Sequence, residues 1–248
     1  MQYEISWQQA DLIPFLSIIT STFFFSTYWF IFISKKIRYY FQKKFQGDKG
    51  EIYHVLFTKY TGLVLMGIIP FLFSFIMMPK YTLSDYGISY SKGTNLLSFY
   101  WIMGLSTPIV IMNWFSARRP KMFSRYPQIR VKEWNAKLIF HYSLSWCAYL
   151  FGYEFLFRGL LLIPLADTIG VWPAIAVNIA LYSATHISNG LDETIGAVPL
   201  GLVLSLITLQ TGTIWVAFGV HVVLALSSNL LALKFNPEMK IVKSINRK

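Results

Sequence analysis

The stretch from Leu12 to Ser34 carries no charged side chain, and that property limits the chain more than any other. An apolar run of about 20 residues is long enough to cross the hydrocarbon of a bilayer as a helix. Further apolar blocks run from about Tyr60 to Met78, Leu96 to Phe115, Ala136 to Ile169, Val171 to Ile187, Ala197 to Gln210 and Thr213 to Leu233. Composition agrees with this reading. Only 13% of the 248 residues are charged and 55% are hydrophobic, whereas a soluble domain carries about 25% charge. The expected fold is therefore all-α: a polytopic transmembrane helix bundle in a single integral membrane domain, residues 1–248. No internal repeat or low-complexity tract interrupts it.

The net charge of +11 is not spread evenly. Lys35, Lys36, Arg38, Lys43 and Lys44 follow the first block. Arg118, Arg119, Lys121, Arg125, Arg130, Lys132 and Lys137 fill a later loop, and Lys234, Lys240, Lys243, Arg247 and Lys248 mark the end. Such clusters mark cytoplasmic flanks and suit the anionic headgroups of membrane lipids rather than nucleic acid. Placing all three inside puts the N-terminus outside, with its acidic Glu4 and Asp11, together with the loop Lys80 to Asn95, and leaves a basic cytoplasmic tail at 234–248. The block Ala136 to Ile169 would be roughly 50 Å long as a helix. Counting it as one net crossing, with an interfacial or kinked first half, keeps every cluster inside. The sequence thus predicts about seven net crossings, with room for an eighth helical element, in a plasma (inner) membrane protein. The first block has no positive leader and ends in Lys-Lys, so it reads as a retained span rather than a signal peptide. Cys147 is the single cysteine, which excludes an internal disulfide and a cysteine-based metal cluster. It reads as a small apolar packing residue.

Four ionisable residues lie well inside apolar blocks: Glu154, Arg158, His186 and His221. Such residues are costly in a membrane and face a cavity or a partner. Glu154 and Arg158 are i and i+4, so they share a helix face. The pair serves either as a structural ion pair or as a carboxylate held ionised for chemistry. Either histidine alone is most simply structural, a helix-end group at His186 and an interhelical donor at His221. The four together point to a site. Counting inward from the outer block ends, Glu154 and His186 lie about 21 to 23 Å deep and His221 about 12 to 14 Å. On that count the first two should be close partners. His141 and Asp167 are each thirteen residues from Glu154 in sequence, about 220° round a helix, and read as structural or interfacial.

Three ordered motifs now carry a resemblance to the CAAX protease and bacteriocin-processing membrane peptidases, also called the Abi family. Tyr153-Glu154-Phe155-Leu156-Phe157-Arg158 resembles the family's Glu-Glu-x-x-x-Arg. Tyr182-Ser183-Ala184-Thr185-His186 resembles its Phe-x-x-x-His, and His221 begins its His-x-x-x-Asn. The segment Pro199 to Trp215 is similar to the family's connection between the last two motifs. The likeness covers Leu138 to Leu233 and makes 137–233 the motif-bearing core, with 12–136 contributing spans and basic loops. It implies a membrane endopeptidase acting on peptide or protein C-terminal tails. Glu154 and His186 would activate water, Arg158 would orient Glu154, and His221 would stabilise the oxyanion. The family has been described both as metal-free and as zinc-dependent, so the cofactor is either none or a zinc held by Glu154, His186 and His221. Two motif positions vary. Tyr153 replaces the first glutamate, and Ala225 stands where the asparagine falls, with Asn229 a further turn on. Those departures keep a second reading open: an inactive relative acting as a bacteriocin-immunity or peptide-binding protein. A third reading, a transporter with an intramembrane proton relay, explains the charges but not the motif order.

Overall fold

The structure, a computed structural model, describes residues 5–89, 95–187 and 190–243. Glu4, Arg247, Lys248, the loop centre 90–94, and Ser188 and Asn189 after His186 lie outside the described residues. The elements follow in order as α1 (Leu12–Phe32), α2 (Lys35–Lys44), α3 (Asp48–Leu63), a π-helical turn (Val64–Ile68), α4 (Ile69–Met77), α5 (Asn95–Ser116), α6 (Pro120–Arg125) and β1 (Glu133–Trp134). Then come α7 (Ala136–Glu154), a second π-helical stretch (Phe155–Leu162), α8 (Ile163–Ile169), α9 (Val171–Ala184), α10 (Leu191–Thr211), α11 (Trp215–Phe235) and β2 (Lys240–Ile241). Among the described residues six helices are long and apolar enough to cross a membrane, and α9 is a shorter apolar helix. The chain is the all-α bundle its apolar blocks predict.

Two boundaries differ from the sequence reading. The second span begins at Asp48 rather than near Tyr60, because Asp48 and Glu51 open the first turn of one continuous helix. Acidic side chains there suit the helix dipole. The segment 136–169 has no separate first half. It forms a single rod of 34 residues, 78% buried over its most apolar window, while the other long spans reach at most 39%. This rod is the axis of the bundle, and the length that suggested an interfacial half is used to run through the core from end to end.

The rod is interrupted by the π stretch that starts immediately after Glu154. A wider turn loosens backbone hydrogen bonding, and lipid offers no replacement partners. Neighbouring helices supply them. Asn178 Nδ2 donates to the Phe157 carbonyl at 2.5 Å, and Ser21 Oγ to that of Leu156 at 3.4 Å. Ser205 in turn donates to Asn178 at 3.1 Å. On the other side, α3 approaches at Gly152, where an added Cβ would lie 3.0 Å from the Gly62 carbonyl and from Leu63 Cα. Only glycine permits that backbone crossing.

The loop 81–88 docks between α8 and the start of α11. Gly87 adopts φ 66°, and its carbonyl accepts from Ile214 N and Thr213 Oγ1, each at 3.0 Å. Trp215 Nε1 donates to the Ile88 carbonyl at 2.8 Å. The start of α11 is therefore sunk beneath this loop rather than level with the end of α8. At the opposite end, β2 pairs in parallel with β1, Glu133 opposite Lys240 and Trp134 opposite Ile241.

Candidate active site

Glu154 closes the last α-helical turn before the π stretch, and its side chain is fully buried with that of Arg158. Arg158 Nη1 lies 3.3 Å from Oε2, and its guanidinium stacks 4.2 Å from the Tyr182 ring centre. The aromatic residue of the second motif is thus the lid on the buried arginine. On the other oxygen, His221 Nδ1 lies 2.6 Å from Glu154 Oε1. A carboxylate flanked by an arginine is held ionised and can only accept, so Nδ1 carries the proton. That contact makes Nδ1 the donor of the pair. It leaves the opposite ring edge, with Nε2, for the cavity that the ring lines.

His186 follows the end of α9. Its Nδ1 lies 2.9 Å from the Tyr182 carbonyl and 3.0 Å from Thr185 Oγ1. A carbonyl only accepts, so this nitrogen too is the protonated one and Nε2 holds the lone pair. The His186 ring lies 4.8 Å from that of Tyr182, and the His221 ring 6.4 Å from the same ring. Tyr153 joins the two sides. Its ring meets His221 edge-on at 5.5 Å, and its hydroxyl is 2.9 Å from Thr185 Oγ1. Thr185 itself donates to the Tyr182 carbonyl at 2.7 Å, so the Tyr153 proton goes to Thr185.

The predicted pairing of Glu154 with His186 is corrected by these contacts: the histidine bonded to the acid is His221. The depth count failed because it measured from block ends that are not level. A Cβ on Gly87 would lie 2.9 Å from Ile163 Cδ1 and 3.2 Å from Ile214 N. Ile163 and Ile214 therefore meet at this loop. Glu154 lies nine residues before the first and His221 seven after the second, comparable distances along their helices. His141 is exposed on the Lys137 carbonyl at 2.7 Å, and Asp167 is also exposed, both away from the site.

A cavity of about 650 Å³ is lined by Tyr153, Tyr182, His186, His221 and Ala225 on this side. Buried Tyr28, Lys59 and Trp146, with half-buried Tyr149, also line it and form what we term its waist; the more exposed Arg125, Tyr126, Asp192 and Glu193 line what we term its mouth. Glu154 does not line it. The mouth is laced by charge. Arg125 Nη1 is 2.9 Å from Glu193 Oε1, and Lys121 pairs with Asp192. Burial, then the Glu193 carboxylate, pushes the Tyr126 hydroxyl well above the ordinary phenol range, so it stays a donor to Glu193 at 3.4 Å.

The third motif's asparagine has no substitute at its own position. Ala225 contributes only a methyl group to the wall. Asn229 is occupied elsewhere, accepting from Tyr142 Oη at 2.5 Å and donating to the Ala225 carbonyl at 2.8 Å. The zinc set of Glu154, His186 and His221 does not fit either. Glu154 stands behind His221 in direct contact, and no group of three or more His, Cys, Asp or Glu side chains among the described residues is arranged to hold a metal ion. Zinc sites need three or four converging protein ligands.

Sequence reasoning missed Lys59, the waist aromatics and the ion pairs of the mouth. Lys59 had a signal. It is flanked by apolar residues on both sides of one helix, which is the pattern of an intramembrane ionisable residue, but the block was begun one position too late. The mouth pairs join residues 68 and more positions apart and left no local trace.

Residues 135–227 match the family model described as Type II CAAX prenyl endopeptidase Rce1-like. The matched segment contains all three motifs and is consistent with the family resemblance drawn from them. No curated protein and no solved structure matches the chain.

Proposed function

We propose, on the match of residues 135–227 to the Type II CAAX prenyl endopeptidase Rce1-like model, that this chain is an intramembrane endopeptidase whose water-activating base is His221, oriented by Glu154. The observation that carries the proposal is the 2.6 Å contact between His221 Nδ1 and Glu154 Oε1 at the wall of the cavity. A carboxylate behind one ring nitrogen fixes the other as a base and stabilises the imidazolium that forms. This moves Glu154 from the direct water activation expected of it, as the glutamate retained in the motif, to support of the histidine, since its side chain is fully buried.

The steps follow from the atoms present. A water in the cavity donates one proton to His221 Nε2 while its oxygen attacks the peptide carbonyl. The protonated ring, paired with ionised Glu154, then gives that proton to the leaving nitrogen as the carbon–nitrogen bond breaks. His186 Nε2 accepts a hydrogen bond from the water's second O–H and so aims the oxygen lone pair; that proton stays on the tetrahedral oxygen. The products are a carboxylic acid, which loses this proton to bulk water, and an amine. Arg158 keeps Glu154 ionised. No step uses a metal. With the basic clusters on the cytoplasmic side, among anionic headgroups, the mouth formed by Arg125 and Glu193 opens to the cytoplasm and the N-terminus lies outside. A peptide or protein tail then enters from the cytoplasm.

The test is cleavage of a peptide library by detergent-purified protein, read by mass spectrometry. Wild type should cut, and His221→Ala should lose about 10²- to 10⁴-fold in rate, the usual weight of a general base. Undiminished cleavage by His221→Ala would remove the proposal. Absence of cleavage by wild type would instead favour the inactive, peptide-holding reading that Tyr153 and Ala225 suggest.

A further inference from the structure

Lys59 is only 2% exposed, and among the described residues it has no anionic partner. Its Nζ sits 3.2 Å from the Trp146 ring centre and 4.3 Å from that of Tyr149. Among the described residues no carboxylate forms an ion pair with it and no hydrogen bond is made by its ammonium group. Arg158, the other buried cation of the core, has Glu154. Ring faces replace part of the hydration an ammonium loses, but they accept none of its three N–H donors. The same side chain lines the cavity shared with His186 and His221. A buried cation facing a cavity without a counter-ion is half of a binding site.

We propose that Lys59 receives the terminal carboxylate of a peptide lying in the cavity. The surroundings fit that ligand better than a polyanion, because the waist is built of Tyr28, Trp146 and Tyr149 and offers one charge in an aromatic sleeve. Spacing fits as well. Trp146 and Tyr149 precede Glu154 on α7 by eight and five residues, about 12 and 7 Å along the axis. An extended peptide advances about 3.3 Å per residue, so a chain anchored at Lys59 lays a bond two to four residues from its end beside His221. The position of the cut rests on the endopeptidase reading above. The carboxylate site itself does not.

The experiment separates the two. Three fluorescent hexapeptides of the same apolar sequence are titrated onto the purified full-length protein: a free acid, its C-terminal amide, and an amide with aspartate at the penultimate position. Wild type should bind the acid roughly tenfold tighter than either amide, the weight of one charge-assisted hydrogen bond. Lys59→Met should bind all three like the wild-type amide, while Lys59→Arg keeps most of the preference. Equal affinity of acid and amide for wild type overturns the site. So does an equal loss for all three peptides in Lys59→Met, which would make Lys59 a packing residue. Tight binding of the aspartyl amide overturns the choice of the terminal group. Binding is read whether or not the peptides are cut, so failed cleavage with a retained acid preference counts against the peptidase reading alone.

Discussion

Replacing Glu154 with glutamine tests the buried charge pair at the centre of the bundle. The substitution conserves shape and removes the negative charge. Arg158 then remains fully buried, with its ion-pair partner at 3.3 Å gone and the Tyr182 ring at 4.2 Å as its remaining cationic contact. Stranding one partner of a buried pair costs about 3–5 kcal/mol, and a desolvated ring contact offsets up to about 2 kcal/mol, a contribution already present in wild type. Glu154→Gln should therefore lose about 3 kcal/mol or more. Arg158→Gln should lose less, because Glu154 keeps His221 at 2.6 Å. The double variant should be more stable than the two losses together predict, by about 2–3 kcal/mol of coupling. Reversible denaturation in detergent mixtures gives all three values. If Glu154→Gln unfolds like wild type, or if the two losses simply add, Arg158 is not held by Glu154 and the electrostatic argument fails. The same reasoning identifies a fair probe of activity: the double variant removes the carboxylate without stranding a charge.

Other outcomes follow from the geometry. Gly152→Ala should destabilise by about 1–3 kcal/mol as an overpacked site, since its Cβ would sit 3.0 Å from backbone atoms of α3; unchanged thermal stability would show that the helices can part freely. Ala225→Asn restores an amide on the cavity wall one turn from His221, and should raise the cleavage rate by up to about 10²-fold if it reaches the oxyanion. A rate at or below wild type would show that it does not. Removing metal with a chelator should leave peptide cleavage unchanged, because Glu154 stands behind His221 rather than beside it at a shared ligand position. Loss of rate, restored by added zinc, would contradict that.

What the sequence disclosed was local or imposed by lipid. Uninterrupted apolar blocks can satisfy their backbones only as helices in hydrocarbon, so the bundle was legible. So was the Glu154–Arg158 pair, because an i, i+4 spacing puts both groups on one face wherever the helix lies. The contact of Glu154 with His221 spans 67 positions and depends on how far α11 is sunk. A loop decides that height, through Gly87 wedged between Ile163 and Ile214. Nothing in the apolar pattern of α11 encodes it. Lys59 stood in plain sight, but its meaning came only with the aromatic pair from α7 and the cavity it faces.

The central claim is that Glu154 holds His221 with its proton on Nδ1 and its lone pair on Nε2. Nitrogen NMR of protein labelled at histidine, with His221 assigned by substitution, reads this tautomer directly. Wild type should show the neutral Nδ1–H form at His221, and the Glu154→Gln/Arg158→Gln variant should lose that preference. An Nε2–H tautomer at His221 in wild type, or one unchanged when the carboxylate is removed, would contradict the account.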